Sequence, residues 1–393
     1  SHGFYRYYRD HDVLDSKLGA RYVGDMDRIF DSYSQMLPTM VDFATKKFPK
    51  TPEDTDFAYR QAIRAKALDA VRGMLPASAL SSVGIYGSGQ AFEGLLLRMR
   101  ANPLPESRYY SDLMLTELRK VIPSFLKRVD LEDRGVAWTN YMAETKSQTA
   151  QLLQGMWHES FQEPGESVRL TGFDPEGETR ILEAITFANS NRSTDEVRRL
   201  VESMDSTQRS ALLDAYIGRR GNRRHRPGRA FERTDYRFEL VTDYGAFRDL
   251  QRHRLLTIEW QPLSAELGYD IPELIVEAGL SDDYRATMER SRELYEAMLP
   301  NFPHQAQYAV SLAYRIRYVM QMNAREAMHL IELRSGPQGH PSYRRVAQEM
   351  HRQIADVAGH RAIADAMIYV DHGDIDLERL EAERAAERAR NQR

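Results

Sequence analysis

The sequence predicts an α/β protein in which helices and strands are largely segregated, an α+β arrangement. Three observations carry this. Helical periodicity dominates residues 1–150, while the stretches 234–241 and 314–323 alternate apolar and polar residues as half-buried strands do. Each of those strands also passes directly into a helix through a residue suited to capping it.

Taken in order, residues 25–44, 53–74 and 111–129 place apolar side chains at helical spacing. Pro76 closes the second of these, because it cannot continue a helix and biases Leu75 out of the helical region. A Leu- and Arg-rich helix follows over 91–100. A polar helix over about 134–156 then leads to the break Glu163-Pro164-Gly165-Glu166, which we read as the domain boundary. Beyond it, 167–170 reads as a short strand, and Pro175-Glu176-Gly177-Glu178 opens a helix to about 188. Ser193-Thr194-Asp195-Glu196 is a start signal for a helix over 197–204. After the 234–241 strand, Asp243 can cap a helix running into Arg252. In 314–323, Tyr314, Ile316, Tyr318, Met320 and Met322 share one face, with Arg315, Arg317 and Gln321 on the other. Asn323 stands where an N-cap belongs, for a helix over 324–334 stopped by Gly336. Helices over 342–354 and 362–369 follow, and 377–393 reads as a charge-dense helical tail.

Composition narrows the function classes. The chain has 393 residues, a formal charge of −4 and no cysteine. Near-neutral charge argues against a strongly basic nucleic-acid binder. The lack of cysteine excludes disulfides, thiolate metal sites, iron–sulfur clusters and a cysteine nucleophile. No apolar run approaches the roughly 18 residues of a spanning helix, and residues 1–10 contain no apolar signal region, so a soluble, cytoplasmic protein is expected. The 54 fixed cations comprise 8 Lys and 46 Arg, with no Lys after position 146. Codon bias explains that bias most simply, although the planar fork of Arg also suits phosphate and carboxylate ligands.

An internal echo is visible. Residues 70–76 end in Met74-Leu75-Pro76 and 295–300 in Met298-Leu299-Pro300, and each is followed by a Leu- and Arg-rich helix and a Pro-containing turn. This suggests two related modules, the first decayed.

Two constellations could carry chemistry. Gln251-Arg252-His253-Arg254 sits at a predicted helix end. Dipole capping accounts for some of its charge, and a cradle for a phosphate-bearing ligand accounts for it equally well. Asn323-Ala324-Arg325 opens the last strong helix and Arg334 closes it, so Asn323 is either a simple cap or part of an anion site. No metal is expected, since no His-Glu-x-x-His run exists and His225 and His253 lie far apart. No Gly-x-Ser-x-Gly elbow exists either, and Gly87-Ser88-Gly89 lacks the context of a dinucleotide fingerprint.

Together these pieces resemble the flavin-dependent thymidylate synthases. Arg252-His253-Arg254 matches the family's Arg-His-Arg, and Asn323-x-Arg325 with Arg334 matches its Asn-x-Arg with an Arg eleven residues beyond the Asn. Arg229-Ala230-Phe231-Glu232 resembles the upstream Ser/Thr-x-x-Glu element, with Glu232 twenty residues before Arg252. Departures are Asp249 for a Gln, Arg229 for the Ser/Thr, His329 for a second Asn, and Pro262 for the loop Ser, with Ser264 two residues on. The resemblance implies a family-like module over 167–365. Residues 1–160 would be a degenerate, helix-rich first module lacking its N-terminal half, and 375–393 the charged tail. It implies reductive methylation of dUMP to dTMP with FAD as cofactor and methylenetetrahydrofolate and NADPH as co-substrates. Arg334 would stabilise the ionised uracil. Arg252, His253, Arg254, Asn323, Arg325, His329 and Glu232 would hold FAD, and Gln261, Ser264, Tyr269 and Asp249 would lie nearest the nucleotide. The expected partners are a small nucleotide and a second copy of the chain, a dimer of tandem modules, with no nucleic acid and no membrane. The alternative is a flavin- or nucleotide-binding protein of the same fold without thymidylate synthase activity, either structural or acting on another pyrimidine.

Overall fold

The computed structural model describes residues 6–52, 54–156 and 165–373. Glu163 and Pro164 of the expected boundary, and the tail 375–393, lie outside the described residues. The chain forms two compact units, each assembled from separate stretches. One comprises Ser1–Phe30, Pro76–Glu163 and Thr287–Val310, the other Asp31–Leu75, Pro164–Ala286 and Ser311–Arg393.

The first unit is helical, with helices Gly89–Arg100, Pro105–Leu118 and Ala137–Gln154. One cluster of its buried residues, Leu96, Leu115, Leu126 and Val129, is flanked by Phe92, Met114 and Ile122. Ser111, buried between helices, donates its hydroxyl to Leu96 O at 3.1 Å. The helix expected over 111–129 is broken: it stops at Leu118, and a separate turn, Pro123–Leu126, begins at a residue with no N–H to give.

The second unit holds the sheet, and here the α+β expectation is met. Strands β1 (Val168–Phe173), β2 (Asp235–Asp243), β3 (Thr257–Trp260) and β4 (Arg315–Asn323) form one sheet in the order β1-β2-β4-β3. Every pairing is antiparallel. The alternation read in the sequence is the pleat itself. Ile316, Tyr318, Met320 and Met322 of β4 are buried, and opposite them on β2 stand Thr242, Leu240, Phe238 and Tyr236. Helix Pro341–Asp356 packs on β1 and β2, and helix Ala324–Arg334 on β2 and β4, so the apolar face of the sheet is covered. Val346, Ala347, Met350 and Ile354 are the buried residues of the former that fill this layer. The expected caps are in place: Asp243 Oδ1 accepts from Ala246 N at 2.8 Å and Asn323 Oδ1 from Glu326 N at 2.9 Å. A capping box at Ser193 and Glu196 starts helix Thr194–Ser203. Gly73 shows what its position demands, since a Cβ there would stand 2.5 Å from Tyr284 Oη and 3.0 Å from Ala313 Cβ. The 70–76 echo is thereby a tight backbone contact, with Leu75 O accepting from Leu312 N and Gly73 O from Ala313 N. No described helix is long and apolar enough to cross a membrane.

Candidate functional site

The short helix Tyr244–Leu250 delivers Arg252-His253-Arg254 at its C-terminal end, where the chain turns towards β3. The three side chains part company there. His253 is buried, whereas Arg252 and Arg254 are exposed. Arg252 pairs with Asp249 at 3.3 Å, and Asp249 also lies 3.8 Å from Arg72. The side chain of Arg254 has no hydrogen-bond or ion-pair partner among the described residues.

His253 lies along helix Ala324–Arg334 and touches both ends of it. Its Nδ1 is 3.0 Å from Glu326 Oε1, and Arg334 Nε–H donates to its Nε2 at 3.1 Å. The ring of His329 stands edge-on to it, 5.3 Å between centroids. The hydrogen-bond network assigns the tautomer. A guanidinium has donors and no acceptor, so Nε2 must offer its lone pair, and the ring proton sits on Nδ1, facing the Glu326 carboxylate. Arg334 is held on two sides, by this bond and by the face of Tyr343, 5.5 Å from its Cζ. Its two terminal nitrogens have no hydrogen-bond partner among the described residues. Burial, reinforced by Arg226, His253 and Arg223 against the opposing pull of Glu326, holds the His329 imidazole below its usual pKa.

Ligand-type atoms of His253, Glu326 and His329 lie within 4.8 Å of one another, close enough to surround a cation. In this structure both ring nitrogens of His253 are engaged, Nδ1 by Glu326 and Nε2 by Arg334. A metal at Nδ1 would have to displace its proton and the contact to Glu326.

The remaining predicted residues divide into two further groups. Arg325 gives its Nε–H to Pro227 O at 2.9 Å and lies 3.5 Å from Glu232, which also takes a 3.0 Å contact from Arg229. Asn323 caps the helix. Gln261 N extends the β3 edge by bonding Arg317 O at 3.0 Å, and Ser264 Oγ accepts from Glu266 N at 3.3 Å. Tyr269 packs edge-on to Tyr314, 5.4 Å between centroids. The structure thus gathers His253, His329 and Arg334 into one cluster, Arg325 and Glu232 into a second, and places Gln261, Ser264 and Tyr269 on the segment after β3.

Glu326 is the residue sequence reasoning passes over. It stands three positions after the Asn323 cap, the spacing of a capping box, and so reads as a cap partner. In the fold its carboxylate reaches across to His253 instead. A second buried pair also escapes notice: Arg220 grips Glu332 with both terminal nitrogens, at 2.6 and 2.7 Å.

Residues 169–359 match the family described as thymidylate synthase complementing protein. A UPF0159 protein of Chlamydia muridarum is 35% identical over 382 residues, spanning 97% of this chain and 72% of the relative. The chain belongs to the flavin-dependent thymidylate synthase family. The UPF0159 protein of Thermoplasma acidophilum is 32% identical over 94% of this chain and 77% of its own length. Among solved structures, the UMP/dUMP methylase PolB of Streptomyces cacaoi bound with 5-Br dUMP is similar at 18% identity and a TM-score of 0.40. That match covers 50% of this chain and 94% of that one.

Proposed function

We propose that this chain binds FAD and a pyrimidine deoxynucleotide and converts dUMP to dTMP by reductive methylation, with methylenetetrahydrofolate and NADPH as co-substrates. The observation that carries the reading is Arg334. It is fixed through Nε by His253 and through its face by Tyr343, while its terminal fork stays unspent. A guanidinium anchored in this way is a preorganised donor to negative charge, which is what an ionising uracil ring develops. Arg254, exposed and without a partner among the described residues, fits the anionic part of a flavin nucleotide, and Arg252 and Asn323 belong to the same family pattern. Bound reduced flavin supplies the reducing equivalents. The chain's own work is to orient the nucleotide, keep His253 as acceptor to Arg334, and hold His329 neutral.

The structure also favours a second reading at particular contacts. Arg252 is engaged by Asp249 and Arg325 by Glu232, which suits a protein that binds nucleotide or flavin without turnover. Absorbance of the purified protein and calorimetric FAD titration separate these. Under the first reading FAD binds, dTMP forms, and Arg334→Ala lowers turnover about 10²–10³-fold with FAD still bound. Arg254→Ala weakens FAD itself. FAD binding without dTMP formation would favour the second reading, and no FAD uptake would end the flavin assignment.

A further inference from the structure

The segment 220–227 is strapped across helix Ala324–Arg334. Arg220 holds Glu332 at one end, and Arg325 Nε–H holds Pro227 O at the other. Arg325, His329 and Glu332 are spaced i, i+4 and i+7, one face of the helix, so the middle of the strap passes over His329. The strap is also tied internally. Arg220 Nε–H donates to His225 O at 2.6 Å, Gly221 N to His225 Nδ1 at 3.1 Å, and Arg224 N to Asn222 Oδ1 at 2.9 Å.

Two arginines of this ordered strap, Arg223 and Arg226, are half-buried. Neither side chain has a hydrogen-bond or ion-pair partner among the described residues. Carboxylates on the helix and beside it are already engaged: Glu326 by His253, Glu332 by Arg220, Glu232 by Arg229 and Arg325. Both guanidiniums act on His329 and help to keep it from taking a proton, burial being the larger cause. Two fixed cations beside a neutral imidazole, with the Glu326 carboxylate the one negative group acting on that ring, leave an excess of positive charge able to take an anion.

We infer that the 220–227 strap is a phosphate-binding element, in which Arg223 and Arg226 take a phosphate or pyrophosphate group of a ligand lying against His329. The choice of a nucleotide as that ligand rests on the function proposed above; the anion site does not. Calorimetry on the full chain tests it with inorganic pyrophosphate, and with FAD against riboflavin and dUMP against deoxyuridine. The variants are Arg223→Gln/Arg226→Gln and, as a control at an exposed strap position, Arg224→Gln. Wild type should bind pyrophosphate and prefer at least one phosphorylated form over its counterpart about tenfold or more. The double variant should lose about tenfold or more of that affinity with a shallower salt dependence, and Arg224→Gln should not. Melting curves should show both variants folded; if the double variant melts early, Arg223→Lys/Arg226→Lys, which keeps the charge, should recover pyrophosphate binding. Unchanged pyrophosphate affinity in the double variant, an equal loss in Arg224→Gln, or no binding of any phosphorylated probe to wild type would overturn the inference. Pyrophosphate binding that depends on Arg223 and Arg226, in a protein that takes up neither FAD nor dUMP, would leave the strap standing and remove the thymidylate reading.

Discussion

Helix Ala324–Arg334 carries a cation–carboxylate arrangement on each of two faces, and the two differ in how completely their donors are used. On one face Arg220 is nearly spent, with four of its five N–H donors engaged. It gives two nitrogens to Glu332, one of which also reaches Ala366 O at 2.6 Å, and its Nε to His225 O, with the ring of Tyr369 against it. On the other face Glu326, His253 and Arg334 form a line whose last member keeps two nitrogens without a hydrogen-bond partner among the described residues. The first arrangement holds the fold together, because its charges are paired and both side chains are buried away from any ligand. The second is as well anchored at its base and unfinished at its tip. Unspent donors on an immobilised side chain, more than the presence of an arginine, separate a site from a strut.

The largest effect follows from the face of the buried pair. Glu332→Ala leaves the buried Arg220 charge facing two carbonyls and no carboxylate, and breaking one partner of a buried pair costs about 3–5 kcal/mol. Chemical denaturation of the variant should show a loss of that order. Arg220→Met/Glu332→Leu, which removes both charges, should recover most of it. If the double variant is as unstable as the single one, the neighbouring contacts and not the unpaired charge would account for the loss.

The open face responds differently. Glu326→Gln preserves shape, but its amide can present a donor to His253 Nδ1 and thereby favour the other tautomer, placing Nε2–H against the Nε–H of Arg334. A hydrogen bond to a charged group is lost, about 1.5–3 kcal/mol. Nitrogen chemical shifts of the His253 ring report the tautomer directly. The wild-type ring should be Nδ1-protonated and the variant shifted towards Nε2. An unchanged ring in the variant would mean that Arg334, and not Glu326, sets the tautomer.

How much of this was legible in sequence depends on whether the signal is local. β2 and β4 were, because alternation is a property of neighbouring residues, and so were the Asp243 and Asn323 caps. β3 was not: it is four residues long and largely exposed, and it exists because its backbone pairs with β4. Helix Ser206–Ile217 went unread although Asp205 and Gln208 form a capping box at its start, since only Leu213 along it is buried. The break at Pro123 was local and should have ended the 111–129 helix. At the site, Arg252-His253-Arg254 and Arg334 stood out as motif residues, but the string of letters could not show that only His253 of its triplet turns inward. Arg220 and Glu332 are 112 residues apart, and only the fold brings them together.

A half-buried histidine sharpens the contrast with His253. His253 is set against a carboxylate, whereas His340 has Arg72, Arg345 and Lys66 in its surroundings and meets backbone atoms through both ring nitrogens: its Nδ1 accepts from Ser342 N at 3.3 Å, and its Nε2 lies 3.4 Å from Asp69 O. Burial, and after it the Arg72 charge, depress its pKa from 6.5 to about 3. The sign follows from where protons bind. Between about 3 and 6.5 the unfolded chain takes a proton at this site and the folded chain does not, so the stability present above 6.5 is lost as the pH falls through that window. At pH 5.5, one unit below the unfolded value, the loss from this residue is about 1.4 kcal/mol. His340→Asn retains a side chain able to cap helix Pro341–Asp356 but removes the titration. Because about 0.2 kcal/mol of that loss is already present at pH 7, denaturation at pH 7 and pH 5.5 should show a drop about 1.2 kcal/mol smaller in the variant than in wild type. Equal drops would mean that His340 can be protonated in the folded chain, and that its surroundings are wetter than the packing around it indicates.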